Sequence, residues 1–556
     1  MSPTNITNGH VNPGGKSKRK NHGKSKVTSK GHLSKLQQLS NILYLEKTRM
    51  KGIMFMPTEI PALSKEKFIR NCVKWMHICC SAGDYYDTSP ALNNLQALIE
   101  KSAEYSELNG SVSHFLRVKF FGQFFKHFYS FEEGWKCAEL CLKYYKGSCS
   151  AYQERLRQAA ISEIEKNIVS TSVARVYALL PIIGESGNDG VNYTNKWKNQ
   201  FEDILITCNS ILHDLFKDVV ESQTYDDNAY QQYCNAEDID ELFLYKLFYN
   251  YCSVLQFMLL CSFPAPKNII PQKVFNVVCR CLNVTSKTLG NLDTAQKIRL
   301  ANALPQFHIV ANSLLKEFIV TCRANLLPYS LLITKLMNQC VQSTQTDSSD
   351  LLYHSYLSLR FSAFETWRKW ALVSNSTGAL GSHNLAVMAL NEISGDNETS
   401  KTAGASSCNP EVTTQDAGNC KVNHPLQKKL CLSALRVLQV YIRDAGATLP
   451  ADQFKAIQIC VVKCILRIQR TSSMNSPYSS SECRYELYSL LTELVNCQNS
   501  KWGSPVNWAV DLFKKGLYDS ASKVSSFCCS ALRNVQNIVD QEVIRIPPLE
   551  ETMQTD

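Results

Sequence analysis

The apolar residues of this chain recur at steps of three and four almost everywhere from about Leu36 onward. An α-helix turns once every 3.6 residues, so this spacing places apolar side chains together on one face of a helix. Clear stripes of this kind begin at Ile204, at Phe454 and at Val524. The alternation of apolar and polar residues that is typical of strands is hard to find. The spacing therefore predicts an all-α fold built from many amphipathic helices.

The length of the chain and the breaks between its helices predict how those helices are arranged. At 556 residues the chain exceeds the size at which one hydrophobic core keeps growing. Many helices separated by short polar or Pro/Gly breaks are typical of an α-solenoid, in which each helix pair covers the apolar face of its neighbour. No fixed repeat signature is present. We therefore expect a degenerate HEAT/armadillo-like α-solenoid.

The longest break covers residues 374–424 and is rich in Ser, Thr, Asn and Gly, with one short predicted helix from Asn384 to Ile393. Such a composition predicts a disordered, flexible linker that joins two helical arrays. The expected domains are an N-terminal helical-repeat domain at 36–373, this linker, a C-terminal helical-repeat domain at 425–549 and a tail at 550–556.

The net charge of +10 is concentrated at the N-terminus, where residues 1–35 carry eight basic residues and no acidic one. This segment has little to bury, so we expect a disordered basic tail. The chain that remains has a net charge of about +2, which is too balanced to predict a broad phosphate-binding face. Whether the tail contacts RNA directly stays open. Four of its residues fit a nuclear-localisation cluster, for which the alternative is a merely solvating run of charge: Lys16, Lys18, Arg19 and Lys20.

The N-terminus and the apolar runs predict the compartment. The N-terminus is polar and basic, without the apolar core of a secretory signal. The 23 cysteines are therefore expected to be reduced thiols rather than disulfides. No apolar run approaches the roughly twenty residues that span a bilayer. We expect a soluble, intracellular protein that contacts no membrane.

Cysteine spacing gives little support to a metal or nucleotide site. The sequence contains no C-x-x-C pair, no P-loop and no G-x-G-x-x-G that opens a helix after a strand. Cys137 with Cys141 and Cys460 with Cys464 are each one helical turn apart. Small buried residues in a core show the same spacing, and free cysteine is among the most buried residue types. No cofactor or metal is predicted.

The polar residues nearest to the densest aromatic run also favour structural roles. His114 and His127 flank the run from Phe115 to Phe131, whose phenylalanines are expected to fill a core. Glu132 and Glu133 follow at a predicted helix start, where carboxylates suit the helix dipole. No constellation of a nucleophile and a base is recognisable, so the chain is not expected to be an enzyme.

One short motif has a known binding mode. Leu487, Leu490 and Leu491 form an L-x-x-L-L, a sequence that docks as a helix in a hydrophobic groove. Together with Leu494 they also form the i, i+3, i+4, i+7 stripe by which an ordinary helix packs into a core. One helix face cannot serve both its own core and a receptor groove without partial unfolding. The core interpretation is therefore favoured over docking.

The motifs that carry a family resemblance lie mostly near the C-terminus. The two regions that match best run from Ser476 to Leu491 and over Lys523-Val-Ser-Ser-Phe-Cys528, followed by Ile546-Pro-Pro-Leu549. They resemble the proline-, glutamic acid- and leucine-rich protein family of Rix-type pre-rRNA-processing factors. Weaker matches lie upstream, at Ala178–Gly184, Trp197, Leu212–Phe216 and Val284–Lys287.

This resemblance implies a helical-repeat scaffold of the nucleus, present in the nucleolus and nucleoplasm, which matures the large ribosomal subunit and acts in rRNA processing. The implied partners are WD-repeat and Ipi-type subunits, the midasin ATPase, a SUMO protease and the pre-ribosomal particle. Animal members are also nuclear-receptor coactivators, so a transcriptional coregulator that docks through its L-x-x-L-L is the alternative. The sequence ends at Asp556 without the family's long acidic tail, which puts tail-dependent roles in doubt. The oligomeric state, a homodimer included, stays open.

Overall fold

The computed structural model describes residues 62–82, 88–166, 168–183, 191–217, 241–290, 294–344, 353–375, 381–394, 425–470, 476–499 and 501–544. Helices and no strands occur in these ranges, which confirms the predicted all-α class. None of the helices described combines the length and apolar composition that crossing a bilayer would require. The predicted tails at 1–35 and 550–556, and with them Lys16 to Lys20, lie outside the described residues.

The helices of eight or more residues are numbered here in chain order. They are α1 Ala62–Ala82, α2 Thr88–Ser102, α3 Glu132–Tyr144, α4 Gln153–Lys166, α5 Thr171–Leu179, α6 Val191–Leu215, α7 Glu241–Leu260, α8 Pro271–Asn283, α9 Ala295–Cys322, α10 Ser330–Gln342, α11 Tyr353–Ser374, α12 His383–Ser394, α13 Pro425–Ala445, α14 Ala451–Arg470, α15 Ser481–Asn496, α16 Val506–Gly516 and α17 Ser522–Ile544.

The chain divides into two compact units, of which the first ends at Cys79. In the first unit the rings of Phe68 and Trp75, about two turns apart on α1, lie 6.1 Å apart between centroids. The second unit begins at Cys80 and contains α2 to α17.

The helices of the second unit pack in two interleaved series. In one series each helix contacts the next, from α3 through α5, α7, α9, α11, α13 and α15 to α17. The other series runs in the same way from α6 through α8, α10, α12 and α14 to α16. Each helix of the second series also packs against the helix that follows it in the chain. These pairs are α6 with α7, α8 with α9, α10 with α11, α12 with α13, α14 with α15, and α16 with α17. Each amphipathic helix thereby buries its apolar face on neighbours along the series and across it.

The helices on either side of the predicted linker pack directly on one another. The rings of Trp367 in α11 and Tyr441 in α13 lie 5.6 Å apart, and Ser433 Oγ donates to Glu365 Oε1 at 2.7 Å. The predicted short helix is present as α12, which contacts α13 and α14. The division into two arrays is therefore not confirmed. The polar composition of residues 374–424 does not show whether the apolar faces of the helices on its two sides fit each other.

Most of the aromatic run near the start of the second unit fills a core, as the sequence predicted, although Phe125 is half-buried and Phe131 is exposed. Phe120, Phe121, Phe124 and Phe128 are buried. The rings of Phe124 and Trp135 meet edge to face at 5.1 Å, a favourable arrangement for the quadrupoles of two aromatic rings. Two short helices, a π-turn and a 3-10 turn follow one another over this run.

Gly134, in the first turn of α3, allows this run to approach the helix closely. A Cβ atom at this position would lie 2.1 Å from the carbonyl oxygen of Phe128, a backbone atom that cannot turn aside. Gly134→Ala is expected to lower the free energy of unfolding by about 1 to 3 kcal/mol, the usual cost of overpacking a core. Gly122→Ala is the matched control, because a Cβ there would meet nothing within 4 Å. Equal urea midpoints for the two variants would contradict the close approach.

Candidate interaction surface

The cysteines singled out by their spacing lie in the core. Cys137, Cys141 and Cys464 are buried, and Cys460 is half-buried. Cys464 Sγ donates to the carbonyl oxygen of Ile393 at 3.4 Å and Cys460 Sγ to that of Leu390 at 3.8 Å. Burial raises the pKa of Cys141 well above its ordinary value, so this thiol stays protonated. Within the described ranges no three His, Cys, Asp or Glu side chains come together as metal ligands would.

The histidines and carboxylates around the aromatic run are separated rather than gathered into a site. His114 and His127 are both exposed. Glu132 and Glu133 lie in the first turn of α3, as predicted, and Glu132 accepts a hydrogen bond from Ser172 Oγ at 2.9 Å. These carboxylates therefore stabilise the helix start and its contact with α5.

The three leucines of the L-x-x-L-L are buried in α15. Leu487, Leu490 and Leu491 have no exposed surface, and Leu494 continues the same buried stripe. Their helix packs against α13 and α17 in its own series and against α14 and α16 in the other. Docking of these leucines in a receptor groove would require α15 to leave its neighbours. The geometry therefore gives no support to the coregulator alternative.

On the other series, α14 and α16 lie side by side and expose a different kind of surface. Gln458 Nε2 donates to the carbonyl oxygen of Gly503 at 2.9 Å, and Gln469 Nε2 donates to that of Leu512 at 3.1 Å. The residue numbers of both partners increase from the first contact to the second, so the two helices run parallel. We define the basic–aromatic face by the exposed residues Lys463, Arg470, Trp502, Trp508, Lys514 and Lys515.

The loop that enters α16 holds Trp502 in a fixed position. Trp502 Nε1 donates to Gln458 Oε1 at 2.9 Å, and Lys455 Nζ lies 4.6 Å from the centre of its ring. Asn499 organises the backbone beneath it, because its Oδ1 accepts from the N–H groups of Lys501 and Trp502 at 2.9 and 3.0 Å. The ring is thus preorganised although 37% of it remains exposed.

In the opposite series, several charged side chains are already paired. Arg436 Nε lies 3.0 Å from Glu486 Oε1, which links α13 to α15. Burial alone would raise the pKa of Glu365, but hydrogen bonds from Arg368 and Ser433 outweigh it and lower that pKa. These cations and carboxylates are paired with each other. The basic–aromatic face is therefore the better candidate for an anionic partner.

Sequence reasoning missed this face because charge was judged over the whole chain. The signal lay in α14, where Lys455, Lys463 and Arg470 fall on the side opposite the apolar stripe that begins at Phe454. The position of these cations relative to Trp508 could not be read from the sequence, since it depends on the register between α14 and α16.

Comparison with known proteins shows which proteins the chain is similar to. No protein-family model matches the chain. It is 24% identical, over 90% of its length, to "Proline-, glutamic acid- and leucine-rich protein 1" of Xenopus laevis. It is also 24% identical, over 93% of its length, to the protein of that name from Mus musculus. The chain spans about half the length of these relatives, 52% and 49%. The predicted resemblance is thereby confirmed, and the chain is a relative of the proline-, glutamic acid- and leucine-rich proteins over nine tenths of its length.

Proposed function

We propose that this protein is a non-catalytic scaffold of a nuclear pre-ribosome maturation complex, acting in rRNA processing and large ribosomal subunit biogenesis. The observation that supports it best is the pair of packing series from α3 to α17, taken together with the likeness to the proline-, glutamic acid- and leucine-rich proteins. We further propose that the two series are the layers of a degenerate HEAT/armadillo-like α-solenoid. Such folds bind partners over extended surfaces rather than in a pocket.

The proposed partners follow from the same family resemblance. They are WD-repeat and Ipi-type subunits of a Rix-like complex, the midasin ATPase and the pre-ribosomal particle, with a SUMO protease as a peripheral partner. The surfaces that would meet them are the exposed sides of the two series. Because separate partners would be bound at separate places, a single surface substitution is expected to weaken one contact and leave the others in place.

Depletion of the protein tests the proposed role in rRNA processing. Cells that lack it are expected to accumulate rRNA precursors that retain the internal spacer, and to show a lower ratio of large to small subunits. Re-expression of the chain should restore both. Unchanged precursor levels after complete depletion would contradict the proposal.

The nuclear address is proposed to lie in Lys16, Lys18, Arg19 and Lys20. Reversing these four charges to glutamate is expected to move a fluorescently tagged chain out of the nucleus, because an import receptor binds closely spaced cations in acidic pockets. The body should stay folded, as judged by circular dichroism.

The matched control reverses the other four basic residues of the tail, Lys24, Lys26, Lys30 and Lys35. This change removes the same amount of charge but leaves the cluster intact, so nuclear import should persist. Nuclear import of the Lys16 to Lys20 variant at the normal level would show that the cluster is not the address.

A further inference from the structure

We infer that the basic–aromatic face of α14 and α16 binds single-stranded RNA. The inference concerns direct contact with nucleic acid, which a scaffold that acts only through protein partners does not need. The choice of RNA over DNA rests on the proposed function, whereas the choice of a single-stranded nucleic acid rests on the geometry of the face itself.

The first argument is the local excess of positive charge. The segments 451–470 and 501–518 together contain seven basic residues and only two acidic ones, Asp452 and Asp511. Their excess of five exceeds the net charge of about +2 that the chain has outside its basic tail. The chain outside the basic tail and these two segments therefore has a slightly negative net charge. An anionic partner is attracted to the two segments rather than to the rest of this body.

The second argument is that most of these cations have no carboxylate partner. Lys463, Arg470, Lys514 and Lys515 are exposed and form no ion pair with any residue that the structure describes. Lys463 and Arg470 are seven residues apart, which places them about two turns apart on the same side of α14. Lys514 and Lys515 lie in the last turn of α16, so exposed cations on two parallel helices are available to the repeated charges of a phosphate backbone.

The third argument is the exposure of aromatic rings beside these ridges. Trp508 has 59% of its surface exposed, in the first turn of α16, and no ring partner or hydrogen bond among the described residues. Tyr518, just beyond the same helix, is 90% exposed. Large aromatic side chains are usually buried, so bare rings of this kind indicate a binding surface. Bases of single strands stack on such rings.

The combination favours a single-stranded nucleic acid over an acidic protein segment. Carboxylates would neutralise the lysines but leave the indole ring of Trp508 without a planar group to stack on. Bases in a duplex are already stacked on each other, and their faces are not available. A single strand supplies phosphates for Lys514 and Lys515 and a free base for Trp508 at once.

Fluorescence anisotropy with labelled oligouridine of about twelve nucleotides, within the range that stacking surfaces bind, tests the inference. The full chain is used, with the eight basic residues from Lys16 to Lys35 replaced by glutamine so that the tail does not mask the face. Trp508→Ala is expected to weaken binding about 5- to 100-fold, the effect of losing one stacked base. Trp508→Phe should retain most of the affinity. Tyr249→Ala, an exposed ring on α7, should bind as the parent does.

The lysines are tested through the salt dependence of binding. Lys514→Gln with Lys515→Gln should lower the slope of log affinity against log salt by about 1.4, because each phosphate contact on a single strand contributes about 0.7. The control pair Lys126→Gln with Lys335→Gln removes the same charge from exposed positions elsewhere and should leave the slope unchanged.

Three results would overturn the inference. The first is equal affinity of Trp508→Ala and its parent for oligouridine. The second is a loss of polyglutamate binding in Trp508→Ala while RNA binding stays intact, which would assign the face to an acidic protein. The third is tighter binding of oligothymidine than of oligouridine, which would remove the assignment to RNA. Since these measurements use purified protein, they can fail while the pre-ribosome proposal holds, and the reverse is also true.

Discussion

Leu490→Ala and Leu491→Ala are each expected to lower the free energy of unfolding by about 2 to 5 kcal/mol, the usual cost of removing a buried leucine side chain. Both leucines are fully buried in α15, which is covered by α13 and α17 in its own series and by α14 and α16 in the other. Truncation leaves a cavity among these four helices, and surrounding side chains can only partly fill it. The loss should appear as a lower urea midpoint.

Leu242→Ala on α7 is the matched control, because 70% of Leu242 is exposed. It should change the free energy of unfolding by no more than about 0.5 kcal/mol. The core assignment would be contradicted if Leu490→Ala left the urea midpoint unchanged and abolished binding to a nuclear-receptor domain. The leucines would then be docking residues, and this result would support the coregulator alternative.

Trp367→Ala is expected to lower the free energy of unfolding by about 3 to 5 kcal/mol, as truncation of a buried aromatic residue does. Trp367 is 1% exposed and contacts Tyr441 across the junction between α11 and α13. The substitution should therefore destabilise helices on both sides of segment 374–424. A chain made of two independent arrays would instead lose stability only on the side that carries the substitution.

Trp367→Phe separates the loss of packing from the loss of the indole N–H. The Nε1 atom of Trp367 is buried and has no hydrogen-bond partner among the described residues, so its removal breaks no such bond. The phenylalanine variant should cost clearly less than the alanine variant. Native-state hydrogen exchange in Trp367→Ala is the direct measurement, with faster exchange expected in both α11 and α13. Unchanged exchange in α13 would contradict the packed junction.

The secondary structure could be predicted because it depends on local spacing. The stripe that begins at Phe454 lies on α14, and the stripe that begins at Val524 lies on α17. The burial of Leu487, Leu490 and Leu491 also follows from their spacing, since a four-residue stripe on one helix face needs a cover. The predicted separation at 374–424 had no such local basis, because contacts between α11 and α13 join residues far apart in the chain.

The candidate surface was harder to predict than the core, for a physical reason. A buried stripe is visible in the sequence as a period, but an exposed face is assembled from separate helices whose register is set by long-range hydrogen bonds. The hydrogen bond from Gln458 to Gly503 accompanies the approach of Lys455 to the ring of Trp502, and nothing in either segment alone shows this. Whole-chain charge also concealed the face, since its excess is balanced by a slightly acidic remainder.

Affinity purification of the full chain with its partners intact tests the central claim most directly. A scaffold of pre-ribosome maturation should bring down large-subunit pre-ribosomes, recognised by rRNA precursors that retain the internal spacer, together with a WD-repeat protein. The Lys16 to Lys20 variant, kept outside the nucleus, is the matched control and should lose the pre-ribosomes. Recovery of neither pre-ribosomes nor a WD-repeat partner from the unaltered chain would contradict the account.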